Sequence, residues 1–284
     1  MRIIYRNIRE AAGSTALLAL LLLAAAPAQA ALRFHWVDSF SPDEQVMLSS
    51  WLDETRTALE RLVGPLPFDV DLYLHRRDGA REPVPWANTR RGSRQGVNLY
   101  VDPARPLQAF RDDWTAPHEL SHLVLPYLGS SNAWFAEGFA SYMQFQVMHA
   151  MGVISSEEVE QRYLSRLERA EQDYAYPGVA FVAAAPRLRQ ERKYPVMYWG
   201  GALYFLQVDR ALHELGAPGL PEQLRAYVAC CRTATGGETP ATLAATFDRL
   251  SGTQAFSTTL ARFEAARGFP DYAWLRDPAS AGEP

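Results

Sequence analysis

Cysteine is nearly absent from this 284-residue chain: only Cys230 and Cys231 occur, side by side. A framework of loop-closing disulfides is thereby excluded, so an apolar core has to hold the fold. Neighbouring Cα atoms lie about 3.8 Å apart, short of the usual disulfide range. Two packed or free thiols are therefore expected, with a strained vicinal or an intermolecular disulfide as the alternatives. Surplus positive charge is lacking too. The formal net charge is −4, and it becomes −6 once the three arginines and one glutamate of the first 30 residues are set aside. Such a chain has no electrostatic footprint for nucleic acid. Beyond residue 30 there is no long apolar run, which excludes a stable membrane span there. Repeats and low-complexity tracts are missing, and strand signals nearly vanish after Pro106.

What is present begins with Arg2, Arg6 and Arg9, followed by "TALLALLLLAAA" at 15–26 and "AQA" at 28–30. A basic end, a short apolar run and small residues read as a signal peptide over residues 1–30, cleaved after Ala30. As a helix the run rises only about 18 Å, against about 30 Å of hydrocarbon. An exported protein, periplasmic or secreted, is expected. Roughly 250 residues remain, with 48% apolar and 12% aromatic content overall. They suit one enzyme-sized domain over 31–277, with a frayed tail at 278–284.

Along that domain, 41–64 carries a serine cap, helical apolar spacing and a Gly64-Pro65 stop, and so predicts a helix. Alternation over 68–77 and 95–102 predicts two strands flanking an arginine-rich, proline-containing loop. Helical periodicity then covers 107–127, 132–151, 155–174, 197–215, 219–230, 239–250 and 256–267. The fold class is α+β and mostly helical: a small N-terminal sheet over about 31–105 and a helical body over about 106–277.

Chemistry concentrates in "APHELSHLVLPYLGSSNAWFAEGFASY", from Ala116 to Tyr142. Histidines at i and i+4 project from one helix face, so His118 and His122 can reach one zinc ion. Glu119 between them cannot ligate in that direction, but it can act as general base on a metal-bound water. The surroundings are apolar, so buried histidines need a partner and a third ligand is required. A longer pattern with glycine three and histidine six residues beyond His122 is not met, because Leu125 and Leu128 stand there. Pro126 and the "GSSN" turn instead predict a helical hairpin. His122 and Glu137 lie roughly 7–9 Å either side of its bend, close enough to face each other. Two histidines and one glutamate leave a fourth tetrahedral position open, as catalytic zinc sites do.

"HELSH" followed by "WFAEGFASY" resembles the gluzincin metallopeptidases, in particular the catalytic domain of the aminopeptidase N and leukotriene hydrolase family. The resemblance covers about residues 95–215. It implies a thermolysin-like zincin fold, one zinc ion on His118, His122 and Glu137, Glu119 as base, and a peptide or protein substrate. "YWGGALYFLQ" is similar to the family's later signature and implies Tyr198 as the oxyanion donor, with Tyr194 as the second candidate. Gly200 replaces the signature lysine, and the turn between His122 and Glu137 is shorter than in the aminopeptidases. The family's strand glutamate for a substrate's amino terminus has no counterpart in Gly96–Leu99, so strict aminopeptidase action is not implied. That strand could still pair at its edge with an extended peptide.

The resulting expectation is an exported zinc-dependent peptidase. The alternatives are a zinc hydrolase of a non-peptide bond, or a non-catalytic peptidase-like protein that binds peptides or assists envelope assembly. The "NTRRGSR" cluster at 88–94 reads as a solvated loop, whose charge would favour acidic substrates if it reached the site. His35, His75, His149 and His213 stand alone and read as surface or packed residues. Trp134, Phe135 and Phe139 read as core around the metal.

Overall fold

The computed structural model describes residues 30–233 and 237–276. The expected signal peptide, save Ala30, and the expected frayed tail lie outside the described residues. In chain order the elements are β1 (Leu32–Trp36), α1 (Pro42–Val63), β2 (Val70–Arg76), β3 (Trp86–Arg90) and β4 (Gln95–Val101). Then come α2 (Leu107–Asp112), α3 (Thr115–Ser121), a 3-10 turn at Ser130–Asn132, α4 (Ala133–Ala150) and α5 (Ser156–Gln172). The helices α6 (Phe181–Gln190), α7 (Tyr194–Glu214), α8 (Leu220–Cys230), α9 (Pro240–Ser251), α10 (Ala255–Ala265) and α11 (Ala273–Arg276) complete the body. The protein is thus mostly helical with a small N-terminal sheet. Among the described residues, no helix is long and apolar enough to cross a membrane.

The sheet order is β1-β2-β4-β3, with parallel pairing except for the antiparallel β3–β4 pair. This corrects two expectations. β4, the 95–102 strand, lies inside the sheet and has no free edge; β1 and β3 are the edge strands. The 88–94 cluster is not simply a loop, because Asn88–Arg90 pair with β4. Pro83 and Pro85 precede β3 closely and mask its start, since proline is tolerated just ahead of an edge strand.

α1 begins at Ser41 with a capping box: Ser41 Oγ accepts from the Glu44 amide, and Glu44 accepts from the Ser41 amide. Two orphan amides are satisfied at once. Glu44 also takes a bidentate bond from Arg76 at 2.9 and 3.0 Å, tying the helix to β2. The expected helix over 107–127 is two short ones. Asp113 Oδ1 accepts from the Thr115 amide at 2.7 Å, turning the chain between α2 and α3.

The core is one continuous apolar cluster running from the sheet and α1 to Tyr272. At its centre α4 and α7 cross backbone to backbone. A Cβ on Gly138 would penetrate the Gly201 main chain, one on Gly201 the Trp134 carbonyl, and one on Gly200 the Phe181 ring. Bare backbone is therefore required on both helices at the crossing. Trp134, Phe135 and Phe139 are buried around it, against Tyr204, Phe205 and Phe263. Cys230 and Cys231 are joined in a vicinal disulfide, not held as two thiols: the adjacent residues end α8 with their sulfurs in bonding reach.

Candidate metal centre

The crossing of α4 and α7 determines what meets at the site. Glu137 sits one residue before Gly138, and Tyr198 three before Gly201, so each lies within a turn of the contact point. α3 supplies the remaining groups.

α3 stops early for a reason visible in the sequence. A continuing helix would give the His122 carbonyl to the amide of residue 126, but that residue is Pro126 and has no N–H. Arg91 takes the bond instead, donating to His122 O at 2.7 Å and to Leu125 O at 3.1 Å. Arg232 donates to Leu123 O at 3.0 Å. Orphan carbonyls at the negative end of the helix are thus satisfied by two guanidinium groups. Gly129, at φ 80°, then reverses the chain, and the Asn132 side chain ties the turn by donating to Leu128 O at 2.7 Å. The connection is therefore not a symmetric hairpin: His122 lies at the end of α3, immediately before the irregular stretch.

Even so, the expected ligands converge. His118 Nε2 is 3.3 Å and His122 Nε2 3.4 Å from the same Glu137 oxygen, Oε2. Two donors that each lie about 2.0–2.1 Å from one ion at a tetrahedral angle stand about 3.3–3.4 Å apart, so this donor set fits zinc in spacing and in chemistry. Among the described residues these three form the one such group that could hold a metal. His118 is buried, and its other nitrogen, Nδ1, is 3.0 Å from Gln144 Oε1. With Nδ1–H donating to that amide oxygen, Nε2 is left bare to ligate. Gln144, two turns beyond Glu137 on α4, carried no signal in the sequence.

Electrostatics match the geometry. Burial alone would raise the Glu137 carboxyl, but the His122 charge and the bonds from both histidines outweigh it and hold Glu137 well below the usual range. Burial opposes charge on His118, and Glu137 more than offsets it, so His118 is raised. Because ligation needs both Nε2 atoms bare, a metal ion would compete with protons for this cluster.

Glu119 is half-buried, and Thr89 of β3 donates to its Oε2 at 2.7 Å. No local pattern signals this bond, because the arginines beside Thr89 read as a loop. The Tyr198 ring stacks on His118 with centroids 5.9 Å apart. Burial, then the Glu137 and Glu119 charges, raise its hydroxyl far above the ordinary tyrosine value. Tyr194 is 42% exposed and lines an adjoining recess with Trp114 and Trp199 but not the cleft around Glu137, whereas Tyr198 lines both. Glu119, His122, Glu137 and Tyr198 line one cleft of about 290 Å³, whose other walls include Ala87, Asn88 and Thr89 of the edge strand. Arg91, Tyr127 and Arg189 also line it.

The other histidines lie elsewhere. His35 bonds Asp71 at 2.7 Å, His75 stacks on Tyr100, and His149 bonds the Ile154 carbonyl at 3.0 Å.

By sequence the chain matches no family profile and no curated protein. Among solved structures it is similar to an aminopeptidase N family protein from Idiomarina loihiensis, at a TM-score of 0.62 and 15% identity, covering 86% of this chain and 46% of that one. It also matches a mutant M1 zinc metallopeptidase from Deinococcus radiodurans bound to a Tyr-Ser-Ala substrate, at a TM-score of 0.48 and 17% identity, over 83% and 47% of the two chains. The chain spans less than half the length of these structures. The first likeness shows a shared fold.

Proposed function

We propose that this chain is an exported zinc peptidase of gluzincin type, with residues 31–277 acting as one thermolysin-like catalytic unit on peptide or protein substrates. The observation that carries the reading is the convergence of His118, His122 and Glu137 around one point, with Glu119 and Tyr198 on the same cleft. Zinc held by those three residues would supply a Lewis acid and an acidified water in its open position.

The chain's own groups do the rest. Glu119 accepts the proton of the attacking water and passes it to the leaving amine, held in place by Thr89. Tyr198 keeps its proton across the neutral range, because its buried hydroxyl resists ionisation. It can therefore donate to the oxyanion, a charge that develops only in the transition state. Gln144 holds the His118 ring in the ligating tautomer. β3 is the sheet edge beside this cleft, so an extended substrate can add to it through main-chain hydrogen bonds.

The test is cleavage of a mixed peptide library by zinc-loaded wild type beside Glu119→Gln. Wild type should cut, and Glu119→Gln should lose roughly 10²–10⁴-fold in rate. Product ends separate internal cutting from trimming. A zinc-loaded wild type that cuts nothing overturns the peptidase reading in favour of a binding role.

A further inference from the structure

The charges of the cleft are unequal in their engagements. Its two carboxylates are both occupied: Thr89 bonds Glu119, and the two ligand histidines hold Glu137. Its two guanidinium groups are not matched by any acid. Arg91 is half-buried and spends its bonds on the His122 and Leu125 carbonyls, which are neutral. Arg189, in the last turn of α6, is exposed and donates to the Ser130 carbonyl at 3.2 Å. Among the described residues neither arginine forms an ion pair. With a divalent ion bound, its two charges are offset by Glu119 and Glu137, and the two arginine charges remain over.

An ammonium group entering this cleft would meet no free acid, because the edge strand presents Ala87, Asn88 and Thr89. An anion would meet two cations in a partly desolvated recess, where charge-assisted bonds are strongest. We propose that the cleft selects substrates bearing a carboxylate, recognised by Arg189 and Arg91, which both line it. This rests on the peptidase reading above for the nature of the substrate, though not for the existence of the anion site. The carboxylate is either an acidic side chain or the substrate's own C-terminus.

Binding is measured by calorimetry on zinc-loaded Glu119→Gln protein, which separates recognition from turnover. The probes are an acetylated, amidated peptide containing glutamates, its glutamine isostere, and that isostere with a free C-terminal carboxylate. At least one acid-bearing peptide should bind roughly tenfold more tightly than the blocked isostere. That ratio should fall below about threefold with Arg189→Ala and invert with Arg189→Glu. Arg187→Ala, on the same helix but outside the cleft, removes the same charge and should leave the ratio intact, which excludes a bulk effect.

Preference for the glutamate peptide assigns the site to side chains; preference for the free carboxylate assigns it to chain ends. Equal binding of all three peptides, or a ratio insensitive to Arg189, overturns the proposal. Wild-type turnover of the same peptides keeps the two claims apart. A preference without cleavage removes the peptidase reading and leaves the anion site, and cleavage without preference does the reverse.

Discussion

The two walls of the cleft are built on different terms. The helical wall, α3, α4 and α7, is fixed by packing: glycines bring α4 and α7 into backbone contact, and aromatic side chains fill the space around the crossing. The sheet wall, β3 with Arg91, is fixed by single polar bonds reaching across to α3, from Thr89 to Glu119 and from Arg91 to His122 and Leu125. Packing sets where His118, His122 and Glu137 stand, while the polar bonds set how the Glu119 carboxylate is aimed. Damage to the packing of the first should cost the fold, and damage to the polar bonds of the second should cost catalysis alone.

The largest effect should come from the crossing. Gly138→Ala puts a Cβ into the Gly201 backbone, which cannot yield as a flexible side chain would. We expect a loss of about 3 kcal/mol in urea unfolding, together with metal binding. Next is Gln144→Leu, close in volume but unable to hold the His118 ring nitrogen. Zinc affinity in chelator competition should fall roughly 10–100-fold with little change in unfolding. On the sheet wall, Thr89→Val should leave zinc content intact and lower kcat about tenfold, since it frees Glu119 to turn away. If Thr89→Val also strips the metal, the division between the walls fails.

Smallest are the effects far from both walls. Ser41→Ala removes one half of the capping box of α1 and should cost about 1 kcal/mol. Glu44 is held below its ordinary pKa, chiefly by the bond from Arg76. A depressed carboxyl stabilises the fold above its unfolded pKa, and that contribution is lost as pH falls through the folded value. Glu44→Gln should therefore narrow the stability gap to wild type on acidification below about pH 4.5 and leave a gap under about 1 kcal/mol at neutral pH, in line with partly exposed ion pairs.

The same division governs what could be read in advance. The residues of the helical wall announce themselves, because helical spacing places His118 with His122 and the turn returns Glu137 to them. Glycine in "EGF" and "WGG" is the trace of the crossing, though which glycines touch is not readable from the string. The sheet wall was obscured. Prolines ahead of Trp86 and arginines after Thr89 resemble a loop, and no local rule says that a threonine on an edge strand will meet a glutamate 30 residues later. β1 and α6 carry no legible local pattern for a similar reason. β1 is five residues long and gains its pairing only from β2, and α6 carries Pro186 within a ten-residue span. The split at Asp113 was hidden because apolar periodicity runs on through a turn that one side-chain bond creates. The disulfide of Cys230 and Cys231 went against the expectation from Cα spacing.

The most direct measurement is zinc stoichiometry by elemental analysis on purified protein, comparing wild type, Glu119→Gln, His122→Ala and Glu137→Ala after identical remetallation, with folding checked by circular dichroism. The account predicts close to one zinc per chain in wild type and in Glu119→Gln, and near-complete loss in folded His122→Ala and Glu137→Ala. Zinc retained by folded Glu137→Ala at wild-type level would contradict it, because α4 would then contribute no ligand and the crossing would have no part in the site.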